Sequence, residues 1–132
     1  MQLKANFHFH TKDDPRDVID YTFYEGVKRA KEFGFEVLAL TCHHKFINPP
    51  EYQTYAKKEN ILLINGVEKD VEKRHVVILN CNANIEKINT FPELRDYKKT
   101  HPEIFILAPH PYFPTSYCLH EKLEENIDIF DA

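Results

Sequence analysis

The sequence predicts an α/β fold in a single domain over residues 1–132. Three observations carry that reading. Segments rich in β-branched and aromatic residues alternate with helix-like ones. Two strand-like segments stand too close for a helical crossover and so predict an antiparallel hairpin. Histidines or a glutamate recur just past the ends of apolar strands.

Leu3 to His10 reads as a strand, with Leu3, Ala5, Phe7 and Phe9 on one face and Lys4, Asn6, His8 and His10 on the other. Arg16 to Phe33 follows as an amphipathic helix. Its apolar face takes Val18, Ile19, Phe23, Val27, Ala30 and Phe33, and Gly34 is its stop. Val37 to Thr41 is a short buried strand. Pro49-Pro50 opens a helix to Lys58. Ile61–Lys69 and Arg74–Asn80 form the hairpin, so its short turn predicts His75 near Glu68. Phe91–Lys99 reads as a helix, Ile104–Ala108 as a buried strand ending at Pro109, Leu119–Glu125 as a short helix and Ile127–Asp131 as a last strand. A chain ending on an uncovered apolar strand reads as an unfinished barrel or one covered by another chain, and its open edges predict self-association.

Composition narrows the function classes. The net charge of -4 argues against electrostatic capture of nucleic acid. No apolar run reaches the ~20 residues of a membrane span, and Met1-Gln2-Leu3-Lys4 lacks a signal-peptide layout, so the expected location is cytoplasmic without membrane contact. The 3 cysteines, Cys42, Cys81 and Cys118, form no CxxC pair and read as reduced thiols. With 3 glycines, no P-loop and no GxGxxG stretch, nucleotide-cradling loops are excluded.

The 8 histidines are the unusual feature. In Asn6-Phe7-His8-Phe9-His10, positions i and i+2 of a strand project to one side, so two imidazoles can chelate one divalent ion. A lone HxH is more often two half-exposed histidines than a site. Here, however, Leu40-Thr41-Cys42-His43-His44, Asn65-Gly66-Val67-Glu68 and Ala108-Pro109-His110-Pro111 repeat the placement on the second, third and fifth strands. That end of the strands is where (β/α) barrels carry their sites.

In this order, HxH, T-x-H, G-V-E, a His in the next strand and a later H-P resemble the PHP (polymerase and histidinol phosphatase) family, from His8 to His110. The resemblance implies an incomplete, distorted (β/α)7 TIM-like barrel, with two or three divalent metal ions (zinc, manganese or iron) at its C-terminal mouth. It also implies hydrolysis of a small phosphorylated substrate, histidinol phosphate being one candidate. Carried over by position, His8 and His10 bind a first metal. Glu68 bridges it to a second, completed by His75 and His110. His43 serves a third with an acidic residue after His10. Asp13, Asp14 and Asp17 compete for that role, and Asp14 is chosen; the other two are candidates to cap the first helix. Glu68, His43 and His110 are the expected catalytic residues, acting through the metals with no side-chain nucleophile.

Two departures from the family pattern stand out. Cys42 replaces an acidic residue in T-D-H and reads as a buried inert thiol or a thiolate ligand. A late Asp-x-His motif is missing, and Asp131 is not assigned its role. His44 adjoins His43 and competes with it. His101 and His120 read as turn and solvated residues. Lys12, Arg16 and Lys45 are candidates for substrate phosphate or plain surface charge. An enzyme is the first reading. A metal-binding but catalytically impaired fragment with an assembly or regulatory role is the second. A structural zinc domain ranks last, because ligands dispersed over strand ends make an open site.

Overall fold

The structure, a computed structural model, describes residues 2–132. The strands are β1 (Ala5–Phe9), β2 (Val37–Leu40), β3 (Leu62–Val71), β4 (Arg74–Leu79) and β5 (Phe105–Leu107). The helices are α1 (Phe23–Glu32), α2 (Pro50–Lys58), α3 (Phe91–Thr100) and α4 (Glu121–Glu125), with 3-10 turns at Ala83–Lys87 and Ile127–Ile129. The strands form one curled sheet in the order β1-β2-β3-β4-β5, parallel across β1, β2 and β3 and antiparallel across β3-β4 and β4-β5.

Period-2 alternation sorts the strand side chains onto two faces. On the outer face, Leu38, Leu40 and Leu63 pack with Phe9, Phe23, Val27 and Ala56 under α1 and α2. Further along, Val67, Val71, Val76, Ile78 and Ile106 pack with Phe91, Leu94 and Tyr97 of α3. The inner, concave face is layered along the strands. Phe7, Ile64, Leu79 and Phe105 line a hollow at one level, Ala39, Val77 and Leu107 pack at the next, and the histidines and Glu68 stand above them.

The hairpin has the predicted partners, with Asp70 opposite His75 and Val71 opposite Arg74. Its two-residue turn holds Glu72 and Lys73 at φ 49° and 65°, the left-handed pair that a tight hairpin requires. Gly34, at φ 75°, ends α1 as expected, its N–H donating to Lys31 O while the Phe35 N–H donates to Ala30 O.

Three elements differ from expectation. Helix α1 starts at Phe23, not Arg16: Thr22 and Glu25 make a capping box, and Val18 is 95% exposed. In β1, Asn6 pairs with Leu38 and Phe9 with Leu40, so one extra residue bulges. The bulge, held by the His8 N–H donating to Asn6 Oδ1 at 3.0 Å, turns Phe7 to the concave side and Phe9 under α1. The two phenylalanines therefore do not lie on one face. Finally, Ile127–Asp131 is no strand. A 3-10 turn buries Ile129, and only Asp131 and Ala132 run along β5, where the Ala108 N–H donates to Ala132 O at 2.8 Å.

Candidate metal centre

The inner-face layer at the C-terminal ends of β1–β3 gathers five imidazoles around one carboxylate. Beyond the bulge, both His8 and His10 face inward. The Phe9 backbone between them is tied to Thr41, whose N–H donates to Phe9 O and whose hydroxyl accepts the Phe9 N–H. Pairing of β2 with β3 resumes past Leu40 as a bridge between His43 and Glu68. The His44 N–H, at a left-handed φ of 60°, donates to Glu68 O. His75 enters from β4. His110 follows β5 with φ 80°, an unfavourable conformation for a non-glycine residue and typical of functional sites.

Glu68 is 1% exposed. Its Oε2 meets His8 Nε2 at 2.8 Å, His10 Nε2 at 3.1 Å and His43 Nε2 at 3.2 Å. Its Oε1 meets His75 Nδ1 at 2.8 Å and His110 Nε2 at 3.2 Å. Burial alone would raise the Glu68 pKa. The imidazoles of His10, His75 and His8 outweigh burial and hold the carboxyl well below the usual carboxylate range, so it is ionised.

Asp14 stands behind this ring, its side chain fully buried. Its Oδ1 accepts the N–H groups of Arg16 and Asp17 at 2.8 and 2.9 Å. Its Oδ2 contacts His10 Nδ1 at 2.7 Å, His43 Nδ1 at 3.0 Å and the His43 N–H at 2.8 Å. Burial opposes ionisation here too, but the Asp17 N–H, the His10 ring and the N–H groups of His43 and Arg16 push the Asp14 pKa far down. An ionised carboxylate only accepts. His10 and His43 therefore each carry a proton on Nδ1, which turns Nε2 of both rings toward Glu68 Oε2. Burial would lower the His10 pKa, but Glu68 and Asp14 raise it, so without a metal a ring proton serves the Nε2 contact with Glu68, a place that a cation can take. His75 Nδ1, although 2.8 Å from Glu68 Oε1, is out of line for a hydrogen bond with it, and buried Asp70 Oδ1 likewise has no aligned donor. The donor set, imidazole nitrogen with carboxylate oxygen, is what zinc, manganese and iron accept.

The donor atoms of His8, His10 and Glu68 lie within 4.8 Å of one another, as do those of His43, Glu68 and His75, and those of His10, Asp17 and His43. The seven residues expected as ligands, His8, His10, Asp14, His43, Glu68, His75 and His110, are thus brought together. The three competing aspartates separate. Asp14 lies behind the imidazoles with both oxygens engaged. Asp13 Oδ2 accepts the hydroxyls of Thr11 and Tyr52. Asp17 lines the cavity, 3.8 Å from His43 Nδ1. Neither Asp13 nor Asp17 caps α1, since Thr22 does.

Cys42 lies in the apolar cluster under α1 and not with the ring's donor atoms, and burial pushes its thiol up to about 11. His44 lies at the rim, 3.9 Å from Asp70. His101 stacks on Tyr97, and His120 contacts Thr115 O at 2.9 Å. Lys12 and Lys45 are exposed and do not line the cavity, whereas Arg16 does.

The cavity, about 410 Å³, also takes in Tyr117, which stacks on His75 with ring centroids 4.5 Å apart. Tyr117 and Cys118, whose Sγ lies 3.4 Å from His110 Nδ1, come from the loop between β5 and α4. No sequence pattern marks either residue. Asp70 was legible only through the hairpin register, which sets it opposite His75.

Among known proteins, the family model described as PHP domain matches residues 7–125. An uncharacterized protein of Methanocaldococcus jannaschii is 25% identical over 150 aligned positions, covering 98% of this chain and 82% of its own length. The PolC-type DNA polymerase III of Thermotoga petrophila is 35% identical over 101 residues, 74% of this chain but 7% of the polymerase. That of Thermotoga maritima is 40% identical over 65 residues, 49% of this chain and 5% of the polymerase. The chain thus spans a small part of each polymerase. Among the described residues, no helix is long and apolar enough to cross a membrane.

Proposed function

This chain belongs to the PHP domain family, and from that premise we propose that it hydrolyses phosphate esters with two or three divalent metal ions held by the histidine ring. His8, His10 and Glu68 would hold one ion, and Glu68, His43 and His75 a second. His110, beside Glu68 Oε1, completes the set. Asp17 with His10 and His43 offers a third and weaker position, since Asp14 already engages Nδ1 of both imidazoles. When bound, the ions supply a hydroxide near neutral pH and offset charge on the phosphoryl oxygens. The protein's own groups position and tune. Asp14 holds a proton on Nδ1 of His10 and His43 and so presents Nε2 of each to a cation, buried Glu68 supplies the negative charge that retains cations, and the cavity admits a small phosphorylated substrate. Zinc, manganese and iron all fit this donor set.

The single observation that supports the reading most is the Asp14 grip on two imidazoles whose other nitrogens converge on Glu68. The curled sheet fits an incomplete, distorted (β/α)7 barrel, and we read residues 1–132 as one domain of that kind. A second reading, metal binding without hydrolysis in an assembly role, is favoured by the outer edge of β1, which has no partner strand among the described residues. One assay separates the two: release of a chromogenic alcohol from its phosphate monoester with and without added manganese. Metal-dependent turnover that disappears in Glu68→Ala supports the enzyme. Full metal loading without turnover supports the assembly role, and turnover by Glu68→Ala contradicts the site.

A further inference from the structure

The outer nitrogen of His75 faces both a donor and an acceptor. Arg16 Nη1 lies 2.8 Å from His75 Nε2, and Asp70 Oδ1 lies 3.3 Å from the same atom. Arginine is always a donor. In the arrangement seen here Nε2 therefore accepts from Arg16, and the His75 proton sits on Nδ1. Holding a cation through Nδ1 requires the opposite tautomer, with the proton on Nε2. Two N–H groups would then face each other at the Arg16 contact. Asp70 Oδ1, buried and without a hydrogen-bond partner, is placed to accept that proton instead. Arg16 bound to His75 and a metal bound to His75 are mutually exclusive.

We infer that Asp70 is the positioning residue that turns His75 into a metal ligand, and that Arg16, released by the same step, becomes the anion-binding residue for the substrate's phosphoryl group. The inference rests on the metal centre proposed above. Arg16 lines the cavity beside His8, His10 and His110, its guanidinium 5.8 Å from the centroid of the Tyr117 ring. From there a guanidinium can swing from imidazole to a phosphoryl oxygen, a partner it matches in charge and fork geometry. Its contact with Asp70 is loose, at 3.6 Å, and does not anchor it. Coupling of this kind is reciprocal: metal favours phosphate binding, and phosphate, by engaging Arg16, favours metal.

The test uses the full chain, zinc alone and inorganic phosphate as probes. Histidine 15N shifts of the wild-type protein read the His75 tautomer directly. Nε2 is expected unprotonated without zinc and protonated with it. Competition with a chelator gives zinc affinity. Asp70→Asn should bind zinc about 10–100-fold more weakly, the usual effect of losing the acceptor behind a ligating imidazole. Arg16→Met should bind zinc more tightly, by about threefold or more, while its zinc-loaded form loses phosphate affinity by about tenfold. That opposite movement is not what a merely structural role would give. If wild-type protein binds zinc but His75 keeps one tautomer, or Arg16→Met changes neither affinity, the inference is overturned and the metal centre stands. If wild-type protein binds no zinc, both fall. Should Asp70→Asn not fold, the wild-type spectra decide alone.

Discussion

Replacing Asp14 by Asn separates metal binding from folding. Oδ1 accepts two backbone N–H groups, so the new amide nitrogen must take the Oδ2 position, against the His43 N–H and the two Nδ1 atoms. An amide donor there reverses both imidazoles. Nδ1 of His10 and His43 becomes the acceptor, and Nε2 becomes N–H and loses the lone pair a cation needs. Losing the acceptor behind a ligating histidine costs about 10–100-fold in affinity. With two histidines affected, zinc binding should weaken at least ~100-fold, about 2.7 kcal/mol. The buried His43 N–H, left without its acceptor, costs a further ~1–3 kcal/mol of apo stability. Chelator competition measures the first effect. Melting with and without zinc measures both: zinc at 100 times the wild-type Kd adds about 2.7 kcal/mol to wild type but only ~0.4 kcal/mol to a variant bound 100-fold more weakly. Asp14→Asn binding zinc within about threefold of wild type would refute the tautomer argument.

Further substitutions test the frame around the site. A Cβ at Gly26 would meet the Phe9 ring, 3.0 Å from Cε2 and closer still to Cζ, and Tyr21 at 3.3 Å. Gly26→Ala should lose about 1–3 kcal/mol in urea denaturation despite the better helix propensity of Ala, and a stabilised variant would show that α1 does not press on β1. Lys73→Gly, at φ 65°, relieves left-handed strain and should gain ~0.5 kcal/mol or more, whereas a loss would contradict the tight hairpin turn. Burial pushes the Cys42 and Cys81 thiols up to about 11 and about 12. Neither should react with a thiol reagent at mildly alkaline pH until the protein unfolds, and rapid modification of the native protein would contradict their packing.

The chemistry of this site was legible because it lies in strand ends. Apolar runs closed by His or Glu put His8, His10, His43, Glu68 and His110 at one level of the sheet, and the short β3–β4 turn returned His75 to Glu68. What escaped depended on geometry that spacing does not encode. Val18 and Ile19 imitate a helical stripe, yet Asp14 accepts the N–H groups of Arg16 and Asp17 and holds that segment as a turn. The Thr22–Glu25 capping box was the better start signal. The bulge that divides Phe7 from Phe9 leaves no mark in an alternating sequence. Ile127–Asp131 has a strand's composition, but Asn126 and Ile129 close a 3-10 turn through a backbone hydrogen bond. Tyr117 and Cys118 reach the cavity through a loop whose path no periodicity describes.

An anomalous-difference map of zinc-soaked crystals, collected at the zinc edge, addresses the central claim most directly. Peaks are expected about 2.0–2.2 Å from the nitrogens of His8 and His10 and from those of His43 and His75, with Glu68 reaching both. A map without density there, with the five imidazoles still closed on Glu68 by N–H donation alone, would contradict it.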